Sequence, residues 1–311
     1  MGLNCSIEWT DHSANLWWGC THHGPGCLNC YAELLAKRVG GQRWGSLWGP
    51  DRPRRYIAGW RSTLNGAVRI AREKRRRQMV FINDMSDLFE DPDKHTGPMI
   101  NDHGETLNIH NRQIATTTGW DPLRISHLVD MFFESLNDYP SLIFQLLTKR
   151  PNRTLEVLKS QATRLGVVSF PNVWLGTSIN ELNDKAKADI LSLTQSRAFV
   201  DKLFVSYEPA TGPCDLRGLP DLTLSSLDWI ITGGESGHDA RLFDLDWMHQ
   251  TQTQASAANI AVFNKQLGSN PLQRDEITFV NGTKHADISG WPPILRVRDF
   301  PISNEEFTFV S

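Results

Sequence analysis

The chain has 311 residues, of which 40% are hydrophobic and 22% charged, and its formal net charge is −3 at pH 7. This composition is typical of a globular protein with a sizeable core and excludes a disordered or fibrous chain. No apolar stretch approaches the roughly 20 residues that span a bilayer, and no secretory signal or lipid anchor is visible, so we expect a cytoplasmic protein that does not bind membranes.

Short apolar runs alternate with amphipathic stretches along most of the chain. A first strand is predicted near 13–18, and the later predicted strands are 79–84, 142–148, 172–177, 200–206, 228–232 and 260–264. The predicted helices are 29–39, 62–77, 125–137, 152–164, 180–195 and 244–258. Because such alternation produces parallel βαβ units, the pattern predicts an α/β fold, a TIM-like (β/α) barrel, complete or partial. An open doubly wound sheet is the alternative.

Two segments lie outside this alternation. Residues 91–124 are polar and aperiodic, which is typical of a lid or a binding insert. Residues 269–311 follow the last predicted strand and contain only short β or loop pieces. We therefore predict one barrel domain over 1–268, with an insert at about 91–124, and a C-terminal extension over 269–311 that packs on the barrel.

Three of the five cysteines lie in one loop between the first predicted strand and the first predicted helix, with the spacing Cys-x6-Cys-x2-Cys; they are Cys20, Cys27 and Cys30. Three thiolates can hold three irons of a [4Fe-4S] cluster and leave the fourth iron open. The residues also allow a zinc site completed by His22 or His23, or three unligated cysteines. The absence of a second Cys-x2-Cys pair favours the cluster. The other two cysteines are interpreted as ordinary buried thiols.

Positive charge is concentrated in residues 36–78, where thirteen Lys and Arg face two acidic residues; this segment carries +11 and the rest of the chain −14. Arginine predominates and aromatic residues are interleaved, which suits phosphate contact and base stacking. A nucleic acid or nucleotide is therefore the predicted partner, and an ordinary solvated helix is the alternative. The residues predicted to contact it are Arg69, Arg72, Arg75, Arg76 and Arg77.

Polar or charged residues follow nearly every predicted strand. In a (β/α) barrel the carboxyl ends of the strands share one rim, where active sites are built. The candidates for catalysis or substrate binding are Asp84, Asp87, Lys149 and Glu208. Each of them can instead cap a helix or form a salt bridge at the rim.

Eight motifs between residues 6 and 268 together carry a family resemblance: SIEWTDHSANLWWGC, GPGCLNCYAE, FINDMSDLFE, FQLLTKRP, NVWLGTSIN, FVSYEPATGP, WIITGGESG and FNKQLG. In this order they resemble the three-cysteine-motif proteins of bacteriophages and bacteria, which are radical-SAM-like. Residues 97–124 look inserted relative to that family, and Asn264 stands where an aromatic residue is more usual. The cysteine spacing is also longer than the Cys-x3-Cys-x2-Cys usual in radical-SAM proteins.

The resemblance implies an enzyme that holds a [4Fe-4S] cluster on the three loop cysteines, binds S-adenosylmethionine and receives an electron from a donor protein. The implied reaction generates a 5′-deoxyadenosyl radical that acts on a nucleic acid or nucleotide, in lesion repair or base modification. A zinc-containing nucleic-acid-binding or nuclease-like protein without radical chemistry is the alternative. The resemblance places Tyr31 beside the adenine of the cofactor and places Gly233, Gly234, Glu235 and Ser236 beside its methionine amino group; these four residues can instead form a tight βα turn. The other candidates for cofactor binding are Ser178 and Asn180, which can reach a ribose or instead cap the next helix, and Lys265, which can neutralise a carboxylate or phosphate.

Overall fold

The structure is a computed structural model that describes residues 2–109, 122–272 and 284–302. The chain divides into two compact units. Unit 1 contains the described residues up to Thr148 together with Lys159–Asn172, and unit 2 contains Lys149–Leu158 and the described residues from Val173 onward.

The elements of unit 1 are, in chain order, β1 (His12–Ala14), β2 (Trp17–Trp18), α1 (Tyr31–Gly40), β3 (Arg54–Tyr56), α2 (Trp60–Lys74), β4 (Gln78–Ile82), β5 (Met99–Ile100), α3 (Ile125–Ser135) and β6 (Leu142–Thr148). The chain then passes through α4 (Thr154–Leu165) and β7 (Phe170–Ile179), each of which has residues in both units. The elements of unit 2 are α5 (Asp184–Thr194), β8 (Val200–Tyr207), α6 (Asp221–Leu224), β9 (Trp229–Gly233), α7 (Leu245–Ala257) and β10 (Ala261–Gln266).

In unit 1, β1, β4 and β6 are neighbouring parallel strands. All five residues of β4 are buried, which agrees with its continuous apolar sequence. Helix α2 buries Trp60, Leu64, Ala67 and Ala71, and this spacing places its apolar side chains on one face. A second, three-stranded sheet in the order β2-β3-β5 lies in the same unit.

In unit 2, the strand order is β7-β8-β9-β10, and β8, β9 and β10 are parallel. Trp229 of β9 is aligned with Phe204 of β8 and with Ala261 of β10. Its fully buried ring lies 5.9 Å from the ring of Trp174 and 5.7 Å from that of Phe204. These large aromatic contacts form the core of the unit.

The predicted α/β class is confirmed in both units, and parallel strands follow one another in chain order within each. The first predicted strand is two strands instead of one. β1 ends at Ala14, and the backbone N–H of Leu16 then donates to the side-chain oxygen of Asn83, so Trp17 is free to pair antiparallel with Tyr56 in the second sheet. Strands of two or three residues such as β3 and β5 are too short to show a period, and neither was predicted from the sequence.

The structure describes part of each of the two segments that lie outside the alternation of strands and helices. β5 lies within the predicted insert at 91–124, of which residues 110–121 are outside the described part of the chain. In the extension, the carbonyl of Val297 accepts from Asn264, and Asp299 donates to the carbonyl of Val262, so residues 284–302 hydrogen-bond to β10 within unit 2. No helix in the described ranges is long and apolar enough to cross a bilayer.

Candidate functional site

The cysteine loop joins β2 to α1 in unit 1. Gly19 starts it with φ +109°, and a Cβ there would lie 2.6 Å from the carbonyl oxygen of Leu47, so only glycine fits this close approach. A single 3-10 turn covers Pro25–Cys27, and Cys30 is the N-cap of α1, where its carbonyl accepts from Leu34. A helix N-terminus favours negative charge, and hence a thiolate at this position.

Each of the three loop cysteines is half-buried. Cys20 and Cys30 pack against one apolar cluster that contains Trp44, Trp48 and Met85. The donor chemistry therefore fits a thiolate-held cluster. Within the described part of the chain, however, no three His, Cys, Asp or Glu side chains are gathered into a group that could hold a metal ion.

His22, one of the two candidates to complete a zinc site, is engaged elsewhere. Its Nε2 lies 2.8 Å from Oε2 of Glu33, whose other oxygen is 2.7 Å from Nζ of Lys37. His23, the other candidate, is exposed, so the loop offers three thiols and two histidines, of which His22 is bound to a carboxylate.

The two remaining cysteines differ from those in the loop. Burial raises the pKa of the Cys214 thiol to about 12, and it also raises the pKa of the half-buried Cys5 thiol above its usual value. Both therefore stay protonated at neutral pH. They lie away from the loop cysteines in sequence and serve as matched controls.

A fully buried arginine holds the cysteine loop in place. Arg54 of β3 is 0% exposed and forms two parallel hydrogen bonds with Glu90, Nε to Oε2 at 3.0 Å and Nη2 to Oε1 at 2.7 Å. It also donates to Oγ1 of Thr21 and to the carbonyl of Gly49, whose own N–H donates to the carbonyl of Cys20. Arg54 therefore holds Thr21, which follows Cys20, and Gly49, which hydrogen-bonds to the Cys20 carbonyl.

Asp84 follows β4 and is buried, with 7% of its surface exposed. Its carboxylate accepts a hydrogen bond from Nδ2 of Asn15, and its carbonyl accepts one from the hydroxyl of Tyr31. Burial raises the pKa of the Asp84 carboxyl to about 6. A buried carboxyl with a raised pKa, on a residue whose backbone carbonyl binds the hydroxyl of Tyr31, has the properties of a proton-transfer group.

The next acidic candidate, Asp87, has a structural role. Its Oδ1 accepts from Oγ1 of Thr148 at 2.8 Å and from the backbone N–H of Phe89 at 3.0 Å. These bonds connect the ends of β4 and β6. Unit 1 thus brings together the cysteine loop, Tyr31 and Asp84, while Asp87 fixes the turn behind them.

In unit 2, Glu208 and Lys265 meet at the carboxyl ends of β8 and β10. Nζ of Lys265 lies 2.5 Å from Oε1 of Glu208, and both side chains are less than a fifth exposed. Asn180 donates to the carbonyl of Pro209, and so holds the residue that follows Glu208. Ser178 and Lys149 are half-buried.

The glycine-rich turn after β9 is explained by packing. A Cβ on Gly234 would lie 2.5 Å from the carbonyl oxygen of Leu267. Nε and Nη2 of Arg241 donate to the two carboxylate oxygens of Glu235, at 3.0 and 2.8 Å, and Ser236 accepts from Gln266. Gly233 is also buried, and its carbonyl accepts from Ala210. Every residue of this turn thus has a contact that shapes the turn itself.

The arginines predicted to bind nucleic acid fall into two groups. Arg69 and Arg72 are exposed on α2, and the exposed Arg75 ends that helix in the left-handed conformation. Arg76 instead pairs with Asp11 at 2.5 Å, and Arg77 donates to the carbonyl of Leu142. The first group is available to a polyanion, whereas the second holds strands together.

Sequence reasoning missed Arg54, Glu90 and Asn15. Arg54 lies in a strongly basic stretch, and nothing in a run of arginines distinguishes the one that is buried. Asn15 had a usable signal, since it follows β1 as Asp84 follows β4, and the ends of neighbouring parallel strands meet at one edge.

A family model described as a protein of unknown function, DUF5131, matches residues 4–116 and 123–289. The chain belongs to this family. The interruption of the match at 117–122 falls within the predicted insert. Comparisons with curated proteins and with solved structures found no match.

Proposed function

We propose that this member of the DUF5131 family is a radical S-adenosylmethionine enzyme that acts on a nucleic acid or nucleotide, built as a partial (β/α) barrel. The observation that carries the proposal is the cysteine loop, where three half-buried thiols precede one helix and a buried Arg54–Glu90 pair holds the loop. In this proposal Cys20, Cys27 and Cys30 hold a [4Fe-4S] cluster. When bound, such a cluster supplies a single electron for the reductive cleavage of S-adenosylmethionine.

The residues around the loop have separate tasks in this proposal. The apolar cluster beneath Cys20 and Cys30 keeps water from the ligands. Tyr31 is 56% exposed beside Cys30, so its ring face is available to the adenine of the cofactor while its hydroxyl is tied to the Asp84 carbonyl. Asp84, with its raised pKa, can hold or accept a proton near neutral pH.

In unit 2, the Glu208–Lys265 pair offers one carboxylate and one ammonium group to a polar substrate.

The test of the cluster assignment is anaerobic purification of the wild type and of five cysteine variants. We expect the wild type to contain about four irons and four sulfides per chain with visible absorbance, and Cys20→Ala, Cys27→Ala and Cys30→Ala each to lose most of both. Cys5→Ala and Cys214→Ala are the controls and should keep the wild-type iron content, because their thiols stay protonated. A colourless wild type with one zinc per chain would overturn the proposal.

Catalysis needs a second measurement. Cluster-loaded protein reduced with dithionite should release 5′-deoxyadenosine and methionine from S-adenosylmethionine. A cluster-loaded protein that releases neither would refute radical chemistry while leaving the ligand assignment in place.

Nucleic-acid binding should depend on the exposed arginines of α2. We expect Arg69→Ala, Arg72→Ala and Arg75→Ala, combined, to weaken binding of single-stranded DNA and to reduce the slope of log K against log salt by about 0.7 for each phosphate that is no longer neutralised. The matched control changes three exposed cations elsewhere, Lys94, Lys185 and Arg217, to Ala. Filter binding at several salt concentrations measures the affinity of each triple variant and the dependence of that affinity on salt. Equal weakening in the two triple variants would contradict a specific role for α2.

A further inference from the structure

Unit 1 contains a cavity of about 410 Å³ that was not predicted from the sequence. It lies beside the second sheet and is lined by Trp18, Trp44, Trp60, Arg43, Arg55 and Asn15, among others. This volume falls within the range of small-molecule sites, which begins at roughly 300 Å³. Three tryptophans and two arginines around one cavity are an uncommon lining for a solvent-filled gap.

The aromatic and cationic side chains that line the cavity contact one another. The guanidinium of Arg55 lies 4.8 Å from the ring centre of Trp18 and 4.3 Å from that of Trp44, and the two rings are perpendicular. Asp102 holds Arg55 from the side at 2.6 Å, and its carbonyl accepts from Nε1 of Trp44. Arg55 is therefore fixed as a flat, charged surface, on which a base can stack.

A further group is available to a ligand. Arg43 is exposed at the cavity, and its guanidinium has no hydrogen bond or ion pair with any residue that the structure describes. Arg43 is therefore the cation of the lining that can pair with an anionic ligand.

The charge of the lining favours an anion. Arg43 and Arg55 contribute two positive charges, and Asp102 contributes one negative charge that already faces Arg55. A ligand with a planar aromatic ring and a phosphate uses both properties of the cavity, since the ring stacks on the aromatic walls and the phosphate meets Arg43. S-adenosylmethionine has the ring, but it has a sulfonium cation where a phosphate is required.

We propose that this cavity binds a nucleotide, namely the base and phosphate of one residue of the nucleic-acid substrate. The proposal rests on the proposed function for the identity of that substrate, whereas the binding itself is independent of the iron–sulfur chemistry. Asn15 lines the cavity and also hydrogen-bonds to Asp84, so the nucleotide would lie one side chain from the candidate proton-transfer group.

The test is calorimetric titration of the anaerobically purified full-length protein with adenosine 5′-monophosphate, adenosine, inorganic phosphate and S-adenosylmethionine. We expect the monophosphate to bind more tightly than adenosine or phosphate alone. Arg43→Ala removes the unpaired cation, and Val39→Glu places a negative charge on a 57% exposed side chain that lines the cavity. Arg43→Ala should weaken monophosphate binding about tenfold, as expected when one charge-assisted hydrogen bond is removed. Val39→Glu should also weaken it, because the added carboxylate repels the phosphate.

Arg38→Ala is the matched control, because Arg38 is exposed on the same helix as Val39 but does not line the cavity. It should bind as the wild type does. Three outcomes would each overturn the proposal: the monophosphate does not bind to the wild type, Arg38→Ala weakens binding as much as Arg43→Ala does, or S-adenosylmethionine displaces the bound monophosphate. Because all these variants keep the loop cysteines, their iron content should match the wild type. A wild type that binds the monophosphate but contains no iron would refute the proposed function and leave this inference standing.

Discussion

Arg54→Ala is expected to lower the free energy of unfolding by about 3–5 kcal/mol, the cost of removing one partner from a buried ion pair. Arg54 is 0% exposed and Glu90 is 5% exposed, so the carboxylate left behind cannot recover hydration. Five further acceptors of Arg54, among them Thr21 and the carbonyls of Leu47 and Gly49, lose a donor at the same time. Glu90→Ala should lower the free energy of unfolding by a similar amount, because it leaves the Arg54 guanidinium buried without its carboxylate partner.

Urea unfolding, followed by circular dichroism, measures this effect. Arg217→Ala is the matched control, because Arg217 pairs with Asp215 in an exposed pair, and solvent screening leaves such pairs little effect on stability. Arg54→Lys keeps the charge but not the planar fork, so we expect most of the destabilisation to remain. If Arg54→Ala and Arg217→Ala were equally mild, Arg54 would not stabilise the loop.

A second readout tests the positioning role directly. Because Arg54 reaches both Thr21 and the segment that bonds Cys20, the Arg54→Lys variant should alkylate faster at Cys20 under native conditions. Alkylation at Cys214 should not change, since that thiol is 1% exposed in the other unit. Equal acceleration at both thiols would indicate general loosening of the fold.

Asp84→Asn should stabilise the protein at pH 7 by about 3 kcal/mol and leave it unchanged near pH 3. Burial raises the pKa of this carboxyl from 3.8 to about 6, so folding favours its protonated form. That contribution is fully present below the unfolded pKa and is lost as the pH rises through the folded pKa. A difference of about two units corresponds to about 3 kcal/mol.

Unfolding free energies of wild type and Asp84→Asn, measured from pH 3 to 8, give the difference directly. Asn15→Ala supplies the complementary variant, because its amide donates to the Asp84 carboxylate and so opposes the effect of burial on the pKa. In that variant the pKa of Asp84 should rise further, as a carboxyl-carbon NMR titration would show. A pH-independent difference between wild type and Asp84→Asn would contradict a raised pKa.

The cysteine loop and Asp84 could be predicted from the sequence because each is local. The three cysteines lie within one short segment, and Asp84 comes two positions after an apolar run of four residues, 79–82. The Arg54–Glu90 pair could not be predicted in this way. Its partners are 36 positions apart, and which of thirteen cations becomes buried depends on the second sheet, whose strands are too short to show a period.

The same distinction applies to the basic segment. Its charge of +11 is a property of the sequence, but the structure distributes it among different tasks. Arg54 is buried, Arg55 stacks on two tryptophans, and Arg76 pairs with Asp11, while Arg69 and Arg72 stay exposed. Composition therefore predicts that an anion can be bound, and only the fold decides which guanidinium groups remain for it.

The sequence by itself determined the α/β class, the order of the main strands and helices, and the grouping of three thiols in one loop. These features follow from periodicity and spacing, which act over a few residues. The tertiary structure alone decided that Arg54 anchors that loop, that Asn15 faces Asp84, and that tryptophans from three separate segments enclose a cavity. The physical reason is that burial, desolvation and ion pairing depend on which distant residues meet, and those contacts exist only when the chain is folded.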